Sequence, residues 1–298
     1  MDFNKFIADE MSKYKGVCFP VKSGVLPRMF VHSMRCTKMH PNPIDEFCKP
    51  EIGPSYRIIS EYEEKIRHYF KHPHEELFDG EPVVVEKMHP EDYIIINGHH
   101  RWAAAIRMGM KKIPVKIVNL THEEDIKRMI EKGKNDKRVT FDLDEVILGF
   151  TDEDELERPL PFPLNKEYKE RIRKGVPALF HFLSEHDYDI WVFTSKFYSM
   201  DYLRNLFRKY HVHIDGLVTG TAKKTSINEA GKKDIDKMLA DKYKSTLHVD
   251  NDMVIQSYSD KSIEFKEFEI NKEKGKWSDV VMGIVDGIDH DEHDRLQV

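Results

Sequence analysis

The stretch VTFDLDEVILGF, residues 139–150, decides the fold of the C-terminal half of the chain. An apolar run of β-branched and aromatic residues leads into Asp142, and Asp144 follows after one leucine. Such a run is typical of a buried strand, and polar residues at its carboxyl end are typical of a site on a parallel sheet. A pair of aspartates alone is more often a solvated turn, so its meaning depends on the sequence downstream.

Strand and helix patterns alternate from this stretch to the end of the chain. The strand patterns are RVTFD, YDIWVFTS, IDGLVTG, STLHVDND and IEFKEFEI. The helical patterns are NKEYKERIRKGVPALFHFLSEH (residues 165–186), MDYLRNLFRKY, KKDIDKMLADKY and a closing helix around WSDVVMGIVDGI. Apolar strands separated by helices indicate an α/β domain over residues 138–298, with a Rossmannoid parallel sheet that is covered by helices on both faces.

The first 120 residues have the pattern of a separate, smaller α+β domain. Strands are indicated by EPVVVEKM, YIIING and KIPVKIVNL, and helices by SEYEEKIRHYFKH and HHRWAAAIRMGM. Residues 121–137 indicate a charged helix and linker. A chain of 298 residues is long for a single hydrophobic core, which also favours two domains.

Composition excludes some classes of protein. The net charge of -6 disfavours binding to nucleic acid by bulk attraction. No segment has the apolar length of a membrane span, and the first residues lack the apolar core of a signal peptide. The three cysteines are odd in number and are not closely paired, so we expect a reduced, cytoplasmic protein without a cysteine zinc site.

Polar side chains lie where the predicted strands of the second domain end. They are Asp142, Asp144, Thr194, Asp250 and Asp252, with Lys232 and Lys233 just before a predicted helix. The carboxyl ends of parallel strands meet at one edge of a sheet, and crowded carboxylates there require a cation. Oxygen ligands favour Mg²⁺. Beside such an ion, one aspartate can attack phosphorus and the other can protonate the leaving oxygen.

Four stretches in this domain together resemble the haloacid dehalogenase (HAD) superfamily of phosphohydrolases. They are TFDLDEV, WVFTS, GKKDIDKML and LHVDND, in the order that this superfamily shows, and the resemblance covers residues 138–288. It implies that Asp142 is the nucleophile and that Asp144 is the general acid and base. It also implies that Thr194, which Ser195 can assist, binds the phosphoryl group and that Lys233 neutralises it.

The resemblance leaves two assignments open. Lys232, Lys223 and Lys224 are alternatives to Lys233. The implied magnesium ligands are Asp142, the backbone carbonyl of Asp144 and Asp250, with Asp252 binding directly or through water. The gaps between the four motifs are too short for a cap domain, so the resemblance implies a capless, open site.

A second candidate site lies in the first domain, in YIIINGHHRWAAAIRMGM. Gly98 ends a strand and lets the backbone approach a ligand closely. His99, His100 and Arg101 open the following helix, whose free N–H groups and dipole attract phosphate. This order of residues favours a phosphate- or nucleotide-binding site. The alternative interpretation is a glycine turn followed by a helix start that only contacts solvent.

The same stretch resembles the ParB/sulfiredoxin-like superfamily, through a GxxR signature formed by Gly98 and Arg101. NGHHRWAAA is similar to the free serine kinases of that group, which implies ATP or ADP as ligand and Glu46, with Asp45 behind it, as catalytic acid. Asn97 stands where such kinases commonly carry an aspartate, which argues against kinase activity.

Three functions are therefore compatible with the sequence. The leading hypothesis is a magnesium-dependent phosphomonoester hydrolase that acts on a phosphorylated small molecule or nucleotide and carries a nucleotide-binding domain. The second is a nucleotide-dependent small-molecule kinase with a regulatory HAD domain. The third, which the acidic composition disfavours, is a protein that binds nucleotides or nucleic-acid ends.

Overall fold

The computed structural model describes residues 3–14, 19–221, 229–259, 265–271, 273 and 275–296. The chain divides into two compact units, Met1–Leu120 and Thr121–Val298. Each unit has its own sheet.

The first unit is an α+β fold around a mixed sheet. Its helices are α1 (Phe3–Tyr14), α2 (Val25–Met29), α3 (Tyr56–Lys71) and α4 (His99–Arg107). Its strands are β1 (Phe19–Pro20), β2 (Val31–Arg35), β3 (Met39–His40), β4 (Val83–His89), β5 (Tyr93–Asn97) and β6 (Lys112–Ile117). The strand order is β2-β6-β4-β5-β3, and β1 pairs with β4.

The core of this unit forms because α4 can lie close to its neighbours. The side chains of Ala103, Ala104 and Ala105 are fully buried, and their small size allows this close approach. Trp102, next to them, is also buried and donates its indole N–H to the carbonyl of Cys36 at 3.0 Å. The polar start of α4 is therefore held in a fixed position.

The second unit is a three-layer α/β domain. Its helices are α5 (Glu123–Lys132), α6 (Leu164–Glu167), α7 (Val176–Glu185), α8 (Met200–Lys209), α9 (Glu229–Lys242) and α10 (Trp277–Leu296). Its strands are β7 (Lys137–Asp142), β8 (Tyr188–Thr194), β9 (Gly216–Thr219), β10 (Ser245–Val249), β11 (Met253–Tyr258) and β12 (Phe265–Glu269). The strand order is β12-β11-β10-β7-β8-β9.

The sheet is parallel over β10, β7, β8 and β9, and β11 and β12 extend it in antiparallel fashion. Successive residues of a strand point to opposite faces, so Trp191 packs with α5 and α9 while Val192 packs with α7, α8 and α10. The predicted α/β fold with helices on both faces is confirmed. Between Asp142 and Thr194 the chain forms only short turns and the helices α6 and α7, so this interval holds no cap domain.

Two predicted elements differ from the structure. The predicted helix over residues 165–186 is wrong, because α6 and α7 are separate and a left-handed Gly175, with φ of 88°, precedes α7. A side chain at that position would collide with Ser278, so both the left-handed turn and the close packing require glycine. Helix α9 begins at Glu229, so Lys232 and Lys233 lie inside the helix and not before it.

Candidate active site

The strand register brings the predicted carboxylates to one edge of the second sheet. Val249 of β10 lies opposite Phe141 of β7, so Asp250 and Asp142 follow at neighbouring strand ends, about 4.8 Å apart as adjacent strands are. On the other side, Asp142 lies opposite Phe193 of β8, and Thr194 comes next. Three of the four sequence motifs therefore end side by side.

Asp142 is fixed by the turn that follows it. Its Oδ1 accepts a hydrogen bond of 2.8 Å from the backbone N–H of Glu145, across a π-helical turn that spans Leu143–Ile147. The backbone of Gly149 closes this turn so tightly that a Cβ there would lie 2.6 Å from the carbonyl oxygen of Asp144. One carboxylate oxygen of Asp142 is thus held, and its orientation at the sheet edge is set.

Asp144 has two oxygens in different surroundings. Oδ2 accepts hydrogen bonds from the Thr194 hydroxyl at 2.7 Å, the Ser195 N–H at 3.1 Å and the Ser195 hydroxyl at 3.2 Å. Oδ1 is buried and makes no hydrogen bond to a described residue, although the ammonium of Lys196 lies 3.4 Å away. The carboxylate is therefore firmly positioned through Oδ2, while Oδ1 has no hydrogen bond to a described residue.

Thr194 is fully buried, and its hydroxyl is committed to Asp144. The same hydroxyl accepts a hydrogen bond of 3.1 Å from the N–H of Lys196. Ser195 is exposed at this edge. The structure thus brings Thr194 to Asp144, as a neighbour of the predicted acid and base.

Asp250 and Asp252 lie in a tight turn after β10. The Oδ1 of Asp250 accepts from the N–H of Asn251 at 2.7 Å, and the carbonyl of Asp250 accepts from the indole of Trp277 at 3.2 Å. The side chain of Asn251 donates to the carbonyl of Glu145 at 3.1 Å, which ties this turn to the turn after β7. Asp252 is exposed, and the carbonyl of this residue accepts from the N–H of Ile270.

Arg173 contacts this turn through a hydrogen bond to Asn251. Its guanidinium lies between the rings of Phe150 and Trp277, at 4.2 Å and 4.1 Å from their centroids, and donates to Asn251 Oδ1 at 3.1 Å. Burial lowers the pKa of Arg173 to about 10, so the side chain stays charged near neutral pH. The arginine holds the first and fourth motifs together through Asn251.

Two stacked tyrosines stand beside the aspartates. Tyr198 and Tyr202 are nearly parallel, with ring centroids 6.3 Å apart, and the hydroxyl of Tyr202 donates to Glu170. Burial raises the pKa of Tyr198 to about 12, and the carboxylates of Glu170 and Asp144 add to this rise. Tyr198 therefore remains a neutral phenol over the working pH range of most enzymes.

Two of the four candidate lysines lie on α9. Lys232 and Lys233 are exposed on α9, which packs through Gly231 and Asp234 against α5. Lys233 lies about 160° around the helix from the buried Ile235, hence on its outer side. Lys223 and Lys224 lie outside the described residues.

The donor set of this edge fits a hard divalent cation. Asp142, Asp250 and the carbonyl of Asp144 offer only oxygen, which suits Mg²⁺. Within the described part of the chain, no three carboxylates of this edge bring oxygen atoms within 4.8 Å of one another. Water and phosphoryl oxygens would therefore have to complete the coordination, as is usual for magnesium.

The residues of the predicted anion site in the first unit lie together, and most of their polar groups make hydrogen bonds within that unit. Gly98 is left-handed, with φ of 95°, and caps α4. Behind it, His99 accepts from the N–H of Asn42 and His100 from the N–H of Ser55, both at 3.1 Å. The histidines thus fasten loops to the helix start.

Arg101 is buried, and its guanidinium donates to the carbonyls of Glu81 at 2.8 Å and Pro82 at 3.3 Å. Its Nε makes no hydrogen bond to a described residue and is the part of the side chain that faces Gly98. The Oδ1 of Asp45 lies 3.6 Å from the Nδ1 of His99, whereas Glu46 is exposed on a short 3-10 turn. The structure therefore brings the GxxR residues together and leaves Glu46 at the surface.

The three-layer α/β fold and the paired aspartates at the edge of its sheet define a phosphohydrolase of the HAD type. The family model described as NLI interacting factor-like phosphatase matches residues 137–295, more than half of the chain. The chain belongs to this phosphatase family, and its C-terminal domain is a hydrolase that acts on phosphoesters.

The first domain matches a second family model. The model described as ParB N-terminal domain covers residues 58–132, from the first turn of α3 to the end of α5. A search of curated proteins finds no significant match. None of the described helices has the length and apolarity that a membrane crossing requires.

Sequence reasoning missed three residues of this edge. Lys196 follows the second motif directly, and a basic residue at that point was a usable signal. Asn251 stands inside the fourth motif but carries no charge, so its type does not distinguish it from a turn residue beside the two aspartates. Arg173 lies 31 residues after Asp142, and nothing in the sequence indicates that it returns to the sheet edge.

Proposed function

We propose that the second domain hydrolyses phosphomonoesters through an aspartyl-phosphate on Asp142, with Mg²⁺ as cofactor. The observation that carries the proposal is the pair of differently held carboxylates. Asp142 stands at the strand end with one oxygen fixed, and Asp144 is positioned by Thr194 and Ser195, with a second oxygen that has no hydrogen bond to any described residue. These are the requirements of a nucleophile and of a proton carrier.

The two half-reactions follow from this pair. The Asp142 carboxylate attacks phosphorus as the ester P–O bond breaks, and Asp144 gives its proton to the leaving oxygen. Asp144, now ionised, takes a proton from water, and this water attacks phosphorus and releases phosphate from Asp142. The hydrogen bonds on Oδ2 keep Asp144 in place in both half-reactions.

When bound, Mg²⁺ supplies neutralising charge for the phosphoryl oxygens. Asp142, Asp250 and the carbonyl of Asp144 would hold it, with Asp252 as an outer ligand. Thr194 and the backbone N–H of Ser195 orient Asp144, and the exposed Ser195 hydroxyl turns from Asp144 to the phosphoryl group when substrate binds. Lys233, or Lys232 next to it, supplies a cation from α9, and Lys196 is a third source of positive charge at this edge.

The first domain binds the phosphate of a nucleotide, ATP or ADP, at the start of α4. In support, Gly98 leaves the N–H groups of this helix without a side-chain cap, and the buried Arg101 has an Nε with no partner among the described residues. The exposure of Glu46 gives no support to the kinase hypothesis.

The hydrolase proposal is tested with Asp142→Asn. The variant keeps the shape of the side chain but removes the nucleophilic charge, so phosphate release should fall by about a thousandfold or more. Phosphate release is measured with and without Mg²⁺ on an aryl phosphate, nucleotides, phosphoserine and polynucleotide 5′ ends. Asp152→Asn is the matched control, because Asp152 caps a surface turn outside the site and should be silent. Full activity of Asp142→Asn, or of the chelated enzyme, would refute the mechanism.

The nucleotide proposal is tested by calorimetric titration of ATP and ADP into the full chain. Arg101→Ala should weaken binding, while Lys111→Ala, an exposed cation in the turn after the same helix, should not. Phosphorylation of free serine by the wild type would instead support the kinase hypothesis.

A further inference from the structure

A cluster of imidazoles and one carboxylate lies at the end of α3, away from both candidate sites in the sequence. We call His68, His72, His74 and Glu75 the α3 histidine cluster. One ligand atom from each of His72, His74 and Glu75 lies within 4.8 Å of the other two. We propose that this cluster binds one transition-metal ion, Zn²⁺ being the best fit, through His72, His74 and Glu75.

The backbone brings these residues together without any contribution from distant chain. His68 and His72 are four residues apart, so they share a face of the helix, and their ring centroids lie 4.5 Å apart. The helix ends as the N–H of His72 donates to the carbonyl of His68, and the N–H of Glu75 then donates to the carbonyl of His72. This turn carries His74 and Glu75 back beside His72.

His68 has a supporting role. Its Nε2 lies 2.9 Å from a carboxylate oxygen of Glu75, which orients that carboxylate. Residues that hydrogen-bond to metal ligands fix the ligand's orientation and contribute to affinity. We therefore assign His68 to this outer position and leave the fourth coordination position to water.

The ligand chemistry selects the ion. Two imidazole nitrogens and one carboxylate oxygen suit Zn²⁺ and related metals, whereas Mg²⁺ and Ca²⁺ prefer oxygen. A tetrahedral zinc ion with bonds of about 2.0–2.1 Å needs ligand atoms roughly 3.4 Å apart. His74 and Glu75 are exposed and His72 is half-buried. Their side chains can therefore rotate when the ion arrives from solvent, which brings the ligand atoms closer to the spacing that zinc needs.

The cluster lies on the segment that leads to the GxxR residues. Residues 72–82 run from the cluster to Glu81 and Pro82, whose carbonyls receive the guanidinium of Arg101. A metal ion that joins His72, His74 and Glu75 would fix the start of this segment. Metal binding should therefore stabilise the first domain, because an ion bound only by the folded state adds to its stability.

The test is a calorimetric titration of Zn²⁺ into chelator-treated full-length protein in the presence of excess Mg²⁺. All proteins carry His290→Ala and His293→Ala, so that the histidines of the C-terminal tail do not contribute. We expect one site, a loss of affinity of about a hundredfold or more in His74→Ala and His72→Ala, and about tenfold in His68→Ala. Co²⁺ bound to the same protein should show the intense visible bands of a four-coordinate site.

The matched control is His213→Ala, because His211 and His213 repeat the H-x-H spacing on the surface of the second unit. Circular dichroism of the metal-free proteins checks that each variant folds, and His74 is exposed enough for its removal to be tolerated. Zinc binding that is unchanged in His74→Ala, or that falls equally in His213→Ala, would overturn the proposal. Binding of Zn²⁺ without any rise in the melting temperature of the protein would also count against it.

Discussion

At the scale of single residues, Asp142 and Asp144 differ in their hydrogen-bond partners. Asp142 and Asp144 are two residues apart, yet one lies at a strand end and the other points back to Thr194 and Ser195 at the end of the next strand. The position of both at the carboxyl edge of the sheet could be predicted from the sequence, because the DxD pair follows a strand pattern and three further motifs follow it in order. Their partners could not, because the hydrogen bonds depend on where β8 ends relative to β7.

Lys196 is the residue whose role depends most on this geometry. Its ammonium is 3.4 Å from Asp144 and 61% of the side chain is exposed, so it can also reach a bound phosphoryl group. Lys196→Met should lower kcat about tenfold, because a positive charge beside the reacting oxygens is lost. Steady-state kinetics on an aryl phosphate measure the change.

Lys196→Arg should keep most of the activity, since it preserves the charge. Lys209→Met, on the last turn of α8, serves as the control for loss of one surface charge in this domain. If Lys196→Met is as active as that control, the cation required by the reaction comes from α9, through Lys233 or Lys232.

At the scale of elements, the turn after β7 determines the geometry of the site. The π-helical turn returns to the sheet edge at Gly149, where the backbone passes within contact distance of the carbonyls of Asp144 and Glu145. These carbonyls have separate tasks, since the first is a proposed metal ligand and the second accepts from Asn251.

Gly149→Ala should therefore lower kcat by tenfold or more. Its Cβ would lie 2.6 Å and 3.1 Å from these two carbonyl oxygens, and backbone atoms cannot move aside cheaply. The apparent affinity for Mg²⁺ should fall as well, and activity measured against Mg²⁺ concentration reports both changes.

Gly283→Ala is the matched control, because Gly283 lies in α10 with no atom within 4 Å of the added Cβ. That change should raise the free energy of unfolding by about 0.5–1 kcal/mol, since alanine favours a helix interior. Equal activity of the two variants would show that the turn tolerates a shift and does not position Asp144.

Element types could be read from the sequence where hydrophobic patterns are strong, and not where a single residue interrupts them. The strands β7, β8 and β10 are rich in β-branched and aromatic residues, and each is found where the pattern indicates. The pattern over residues 165–186 also fits a helix, but Gly175 adopts a left-handed conformation against Ser278. That contact joins residues 103 positions apart and leaves no local signal.

At the scale of the whole molecule, α5 shows why a boundary is harder to predict than a fold. The sequence of residues 121–137 indicates a charged helix and linker between the two domains, because most of the side chains are charged. In the structure, Ile126, Met129 and Ile130 are buried in the second unit, in one cluster with Trp191 and Ile235. Three apolar residues on one face are sufficient to dock a helix, whatever the charge of its other faces.

This packing makes the boundary testable by comparing two fragments, residues 121–298 and residues 138–298. Burial of each large apolar side chain contributes about 1.5–3 kcal/mol, so loss of α5 should cost several kcal/mol of a domain stability that is typically about 5–15 kcal/mol. The longer fragment should melt cooperatively and keep phosphatase activity, while the shorter one should be destabilised or aggregate. In the full chain, Met129→Ala should reproduce part of this loss of stability, because the buried Met129 sulfur also accepts a hydrogen bond from the N–H of Leu217. The control is the exposed neighbour Arg128. Arg128→Ala should change the free energy of unfolding by less than about 0.5 kcal/mol. If both fragments have the same melting temperature, α5 is a linker and the second domain begins at β7.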